Sequence, residues 1–140
     1  MLKINDYLTP AEREQVLKRS DLWALWLVLS TWALTMGLLL LAGAFPHPVT
    51  ILLVWVLLAG RQLGLSVLMH EAGHNTLFAS RVLNQWVGQW LCALPTLNDL
   101  TAYATGHLDH HRLARTPDDP DLPNYRAYPC LLYTSDAADE

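Results

Sequence analysis

Between Leu22 and Gly60 the chain carries no Asp, Glu, Lys or Arg, a run of 39 residues in a sequence of 140. Charge is scarce overall, 16% of residues against 52% hydrophobic, a balance that excludes an ordinary soluble domain of this size. Cysteine is scarcer still. Cys92 and Cys130 form no CxxC or other metal-ligand spacing, and a pair facing the cytoplasm stays reduced, so neither a disulfide framework nor a thiolate metal site is expected. The formal charge of -4 comes without a basic stripe interleaved with aromatics, which removes the electrostatic footing for nucleic acid. There is no internal repeat and no low-complexity tract.

What is present begins with the uncharged run itself, long enough for two membrane passes at roughly 20 residues each. Pro46-His47-Pro48 divides it. Proline lacks an amide donor and restricts the residue before it, so Phe45 to Pro48 reads as the turn of a helical hairpin. The first helix, Leu22 to Ala44, is too long for a signal-peptide core, and its leader holds Glu12, Glu14 and Asp21. Earlier, Thr9, Pro10 and Glu12 write a capping box that starts a short surface helix. The second helix runs from near Val49 to the His70 region, with Arg61 either snorkelling to headgroups or paired with a carboxylate. Lys3, Arg13, Lys18 and Arg19 precede the hairpin, and Arg81, Arg112, Arg115 and Arg126 follow it, so both ends are expected on the cytoplasmic side.

The last eleven residues, CLLYTSDAADE from Cys130 to Glu140, resemble the translation of a transposase adapter used in sequencing libraries. Without Asp136, Asp139 and Glu140 the chain has nine basic and ten acidic residues, close to neutral. The expected organisation is 1–21 as a cytoplasmic segment with a short helix and 22–69 as the transmembrane hairpin. Residues 70–129 follow as a cytoplasmic and interfacial part, and 130–140 as the adapter-like tail.

Five of six histidines fall in two clusters, His70 and His74 in HEAGH, then His107, His110 and His111 in HLDHH. On a helix, residues four apart share a face, so His70 can join His74 and His107 can join His111, with His110 one step round. Imidazole suits iron, zinc, copper and nickel. Five such ligands exceed one tetrahedral zinc site and point to a multinuclear or octahedral centre, which two irons fit best. Taken alone, HEAGH also matches the zincin HExxH signature, with Glu71 as general base on a bound water. A zincin has no use for HLDHH, and Ser80 and Arg81 stand where the metzincin extension would bring a third histidine. His47, alone between two prolines, is given no role.

Between the clusters, Leu83, Trp86, Val87, Trp90, Leu91 and Leu94 share one helical face and Asn84, Gln85, Gly88, Gln89 and Cys92 the other, as expected of a helix lying in the membrane interface. A Trp and Leu stripe of this kind reads as packing or anchoring before it reads as a lipid entry.

His70-x3-His74 after a helical hairpin, then His107-x2-His110-His111 after 32 intervening residues, resemble the first two histidine boxes of membrane fatty acid desaturases. HEAGHNTLF, LNQWVGQWLCALP and HHRLARTPDDPDL are similar in order and character to bacterial acyl desaturases, and the likeness covers Leu22 to Tyr128. It implies an all-α membrane protein, its transmembrane hairpin followed by an interfacial helix and cytoplasmic histidine-bearing helices. It implies, too, an oxidoreductase in which two irons and dioxygen remove two hydrogens from a fatty acyl chain. His70, His74, His107, His110 and His111 carry over as ligands. Glu71, Asp109, Asp118 and Asp119 are candidates to hold the ligands' other ring nitrogens, although the Asp and Pro alternation at 117–121 also spells a solvated turn. The substrate would be a lipid or acyl thioester, the electron donor a ferredoxin or cytochrome b5-like protein, and the location a bacterial inner membrane. Family members carry a third box and a second hairpin that these residues do not contain, so the chain reads as an N-terminal fragment, inactive alone. A related hydroxylase or ketolase would share the same boxes, and a fragment with no activity is the bland competitor.

Overall fold

The computed structural model describes residues 7–114 and 116–125. Lys3, Arg115, Arg126, Cys130 and the adapter-like tail therefore lie outside the described residues. Every regular element among them is helical: α1 (Pro10–Val16), α2 (Asp21–Ala44), α3 (Pro48–Gly73), α4 (Arg81–Val87), α5 (Leu100–Leu113) and α6 (Leu122–Tyr125). The contacts divide the chain into two compact parts, one up to Thr101 and one from Ala102 on.

The start of each long helix follows from its sequence. Thr9 Oγ1 accepts from the Glu12 amide at 3.3 Å while Glu12 accepts from the Thr9 amide at 2.9 Å, the reciprocal box that opens α1. Ser20 caps α2 by accepting from the Trp23 amide. α3 starts with Pro48 at its first position, where a missing amide is harmless, and His47 is its cap: Nδ1 accepts from the Val49 amide at 3.3 Å. The histidine that composition left without a role thus satisfies a helix terminus.

α2 and α3 are each long and apolar enough to cross a membrane. Their 24 and 26 residues correspond to about 36 and 39 Å at 1.5 Å per residue, against a hydrocarbon core of about 30 Å. They pack against each other as a hairpin, with Ala24 and Val28 of α2 and Val54, Leu65, Leu68 and Met69 of α3 buried, and leave a perimeter of exposed Leu and Trp. That distribution suits lipid as the surrounding solvent. The threonine hydroxyls of α2 are satisfied within the helix, as a low-dielectric setting requires: those of Thr31 and Thr35 donate to the carbonyls four residues earlier, at 2.8 and 2.9 Å. Arg61 makes no ion pair among the described residues.

The segment between the histidine clusters is not one uniform helix. α4 passes into a π-helical stretch, Gly88–Ala93, and a 3-10 turn, Leu94–Thr96. Pro95 supplies the physical reason. Having no N–H, it cannot donate to the Leu91 carbonyl four residues earlier, and the Trp32 indole of α2 does so instead at 3.0 Å. Leu97, in the left-handed region at φ 61°, ends the segment. The expected division of faces stands with two corrections. Val87 is buried beside Asn84, Gly88 and Cys92, because positions three and four after Asn84 fall on its side of the helix, and Gln85 turns outward. Leu83, Trp86, Trp90 and Leu94 are exposed, so this apolar stripe is not packed against other described residues.

Gly88 sits at a close approach of α3 and the π-helical stretch. A Cβ there would lie 2.6 Å from Ala72 Cβ and 2.9 Å from Leu100 Cδ2. Burial accordingly falls on Ala72, Phe78, Val87, Cys92, Ala93 and Leu100, a small core directly beneath the first histidine cluster. Burial also pushes the Cys92 thiol up to about 12, which keeps it protonated and inert.

Candidate metal centre

His70 lies in the last turn of α3 and His74 is its C-cap. The helix stops there because Asn75 adopts the left-handed conformation at φ 57°, which asparagine tolerates better than most residues. The Asn75 amide then donates to the Ala72 carbonyl at 2.9 Å and the Thr76 amide to the Glu71 carbonyl at 2.9 Å, the paired bonds of a Schellman turn. The two imidazoles stand edge to face with ring centroids 4.7 Å apart. Glu71 Oε1 lies 3.2 Å from His70 Nδ1, and Glu71 Oε2 accepts from the Thr76 hydroxyl at 2.7 Å. Engaging Nδ1 favours the tautomer that leaves Nε2 as the ligand nitrogen.

Side chains far off in sequence hold this turn. Asn84, with none of its surface exposed, donates from Nδ2 to the Ala72 carbonyl at 2.6 Å and accepts at Oδ1 from the Phe78 amide at 3.0 Å. The Arg19 guanidinium donates to the Asn75 carbonyl at 2.6 Å, and Asp21 Oδ1 accepts from the Ala79 and Ser80 amides. Sequence reading singled out none of the three for this purpose. The available signal was an asparagine in the middle of a Trp and Leu segment, on the face opposite the stripe.

In the part beyond Thr101, α5 carries HLDHH. His107 and His111 stand edge to face at 4.5 Å between centroids, with their Nε2 atoms 3.1 Å apart. Tyr103, one turn before, stacks on His107 at 5.2 Å. His110 turns the other way, its Nδ1 2.8 Å from Asp119 Oδ1 and 3.8 Å from Asp121 Oδ2. The Asp119 hydrogen bond is the main reason its pKa is raised above the ordinary histidine value, assisted by the charges of Asp119 and Asp121 against some desolvation. Asp119 is 3% exposed and also accepts from the Asp121 amide, so it serves the turn and the histidine together.

The four carboxylates singled out in the sequence divide. Glu71 and Asp119 each meet a histidine Nδ1. Asp109 instead pairs with Arg112 at 2.9 Å, three residues on along the exposed side of α5, and Asp118 is exposed with no bond to a histidine among the described residues.

The donor chemistry fits a metal of the imidazole-binding kind. With imidazole–metal bonds of about 2.1 Å, two ligands at 90–109° on one ion stand about 3.0–3.4 Å apart, and the 3.1 Å between the Nε2 atoms of His107 and His111 lies in that interval. His70, His74, His107 and His111 each offer one ring nitrogen as ligand.

No curated protein and no solved structure matches the chain. A protein-family model, that of the fatty acid desaturases, matches residues 46–136, a span that includes α3, both histidine clusters and part of the adapter-like tail. Since that span exceeds half of the chain, the chain belongs to the fatty acid desaturase family.

Proposed function

We propose that this chain belongs to a membrane enzyme that desaturates a fatty acyl chain at a histidine-ligated di-iron centre. The observation that carries the reading is the paired arrangement of His70 with His74 and His107 with His111, each pair at helical spacing in a chain of the desaturase family. With His110 they make the five ligands this segment contributes, and a third box from the rest of the full-length protein would complete the coordination of two irons.

When bound, two irons let dioxygen accept two hydrogens from adjacent carbons, plus two electrons and two protons, so that one double bond and two waters result. The chain's own part is to present neutral imidazoles in fixed orientation. Glu71 at His70 Nδ1 and Asp119 at His110 Nδ1 hold those rings so that Nε2 is the ligand nitrogen. The Tyr103 ring limits rotation of His107 by stacking. The two electrons come from a separate ferredoxin or cytochrome b5-like donor, and the substrate is a lipid or acyl thioester whose tail lies in the membrane.

In this reading α2 and α3 span a bacterial inner membrane, with their polar ends in the cytoplasm. Arg13, Lys18 and Arg19 before α2 and Arg81 and Arg112 after α3 support that orientation, since the Phe45 to Pro48 turn carries no charge. His70 lies about 33 Å along α3 from Pro48, just past a hydrocarbon core of about 30 Å. The exposed Leu83, Trp86, Trp90 and Leu94 then anchor the intervening segment in the lipid.

The test is substitution in the full-length protein. His70→Ala and His111→Ala should each abolish desaturation while membrane insertion persists, and the unsubstituted protein should contain about two irons per chain and little zinc. Desaturation retained in either variant would refute the ligand assignment, and stoichiometric zinc with peptide hydrolysis would favour the HExxH protease chemistry instead.

A further inference from the structure

We propose that Asn84 is a positioning residue for the first histidine pair, acting through the turn that follows His74; this rests on the reading of His70 and His74 as metal ligands. His74 is the last residue before the chain leaves α3, so its backbone is restrained by the helix on one side only. What restrains the other side is the turn from Asn75 to Ser80, closed on α3 by its Schellman bonds and held from the surface by Arg19 and Asp21.

Asn84 adds three bonds from inside the core. Its Nδ2 donates to the Ala72 carbonyl at 2.6 Å and to Asn75 Oδ1 at 3.3 Å, and its Oδ1 accepts from the Phe78 amide at 3.0 Å. Both amide hydrogens and the acceptor are therefore used, and the direction of the amide is dictated by its partners: a carbonyl needs N–H, and a backbone amide needs O. The three partners bracket His74. Ala72 lies two residues before it, Asn75 directly follows it in a left-handed conformation that needs support, and Phe78, 1% exposed, plugs the turn into the core.

The anchor is itself rigidly held. Ser80 caps α4 by accepting from the Leu83 amide, and the following stretch packs on α3 through Gly88 and Ala72. A displacement of Asn84 would therefore be transmitted to the Ala72 to Asn75 backbone that aims the imidazole of His74. Asparagine is required because aspartate, of the same shape, has no hydrogen for the Ala72 carbonyl, and leucine has neither donor nor acceptor.

The experiment compares Asn84→Asp, Asn84→Leu and Val28→Ala in the full-length protein held in lipid nanodiscs. Val28 is a buried residue of α2 with no bond to the turn, so Val28→Ala controls for general destabilisation. Two quantities are read: hydrogen exchange of the Asn75, Thr76 and Phe78 amides in metal-free protein, and affinity and visible spectrum with Co(II) alone as the probe. Asn84→Leu should exchange at all three amides roughly tenfold faster or more, and Asn84→Asp, which keeps the acceptor for the Phe78 amide, at those of Asn75 and Thr76. They should bind Co(II) about ten- to a hundred-fold more weakly, with an altered spectrum. Val28→Ala should lower the melting temperature and leave both signatures unchanged. Unchanged exchange in the Asn84 variants would overturn the clamp. Faster exchange with unchanged Co(II) affinity and spectrum would overturn the positioning role. If the unsubstituted protein bound Co(II) no better than His70→Ala, the metal reading itself would fail and this inference with it, an outcome told apart by the exchange data.

Discussion

Replacing Gly88 by alanine adds one methyl group at the tightest contact beneath the first histidine cluster. The new Cβ would stand 2.6 Å from Ala72 Cβ, where carbon atoms ordinarily sit about 3.5–4.0 Å apart, so the π-helical stretch and α3 must separate by roughly 1 Å. The second clash, 2.9 Å to Leu100 Cδ2, is with the end of a flexible side chain and can be relieved by rotation. The first cannot, because Ala72 has no torsion with which to withdraw its Cβ. Overpacking of this kind costs about 1–3 kcal/mol, against about 1 kcal/mol gained from alanine's better helix propensity, for a net loss of about 0–2 kcal/mol. Gly64 provides the control. A Cβ there meets nothing within 4 Å, so Gly64→Ala should be neutral or stabilising by up to about 1 kcal/mol. Thermal unfolding in nanodiscs should therefore separate the two variants by about 2 kcal/mol, roughly thirtyfold in the folded-to-unfolded ratio. Ala72→Gly introduced into Gly88→Ala should restore most of the loss, as a coupled pair. If Gly88→Ala melts with Gly64→Ala, the close approach is not a feature of the folded protein and the packing argument fails.

Three further outcomes follow from the same reasoning. Trp32→Phe removes the indole that serves the Leu91 carbonyl and should destabilise the fold by about 1–3 kcal/mol, whereas Trp26→Phe, on the exposed side of α2, should be close to neutral; equal melting temperatures for the two would refute the Pro95 account. Glu12 titrates below the ordinary glutamate value because the Thr9 hydroxyl and amide both donate to it, so its contribution to α1 is present above the unfolded pKa and is lost as pH falls through the lower folded value. Carbon-13 NMR should find Glu12 moving part of the way back toward the ordinary value in Thr9→Ala, which removes the hydroxyl and keeps the amide, and an unmoved titration would contradict the capping box. Trp86 and Trp90 fluorescence should be quenched by lipids brominated along the acyl chain, and insensitivity to such lipids would argue against lipid as the solvent of that face.

The long helices were legible because their signals are local and large. An uncharged run can be solvated only by lipid or by a core bigger than 140 residues provide, and Pro46 and Pro48 permit the break only where it occurs. The histidine pairs were legible for a similar reason, since a spacing of four residues on a helix fixes two side chains on one face whatever surrounds them. His47 shows where this kind of reading stops. Its spacing to the other histidines carries no message, and its use as a cap depends on φ and ψ at one residue rather than on any periodicity.

The clamp around the first pair was illegible for a different physical reason. The Asn84, Arg19 and Asp21 side chains bond to backbone atoms 6 to 59 residues away, and backbone carbonyls and amides are the same in every residue. No residue type at the receiving end marks the partner, so sequence can nominate ligands but not what aims them. The carboxylates make the same point from the other side. Glu71, Asp109, Asp118 and Asp119 all stand within reach of a histidine cluster in sequence, yet the i, i+3 neighbour Arg112 captures Asp109, and the turn that buries Asp119 leaves Asp118 exposed. Which acid serves a histidine is decided by the loop's own hydrogen bonds: Asp119 accepts the Asp121 amide at 2.9 Å and, held there, also meets His110. A site of this kind is therefore written twice in the chain, once as spacing, which can be read directly, and once as a set of long-range bonds to anonymous backbone, which only the folded chain makes specific.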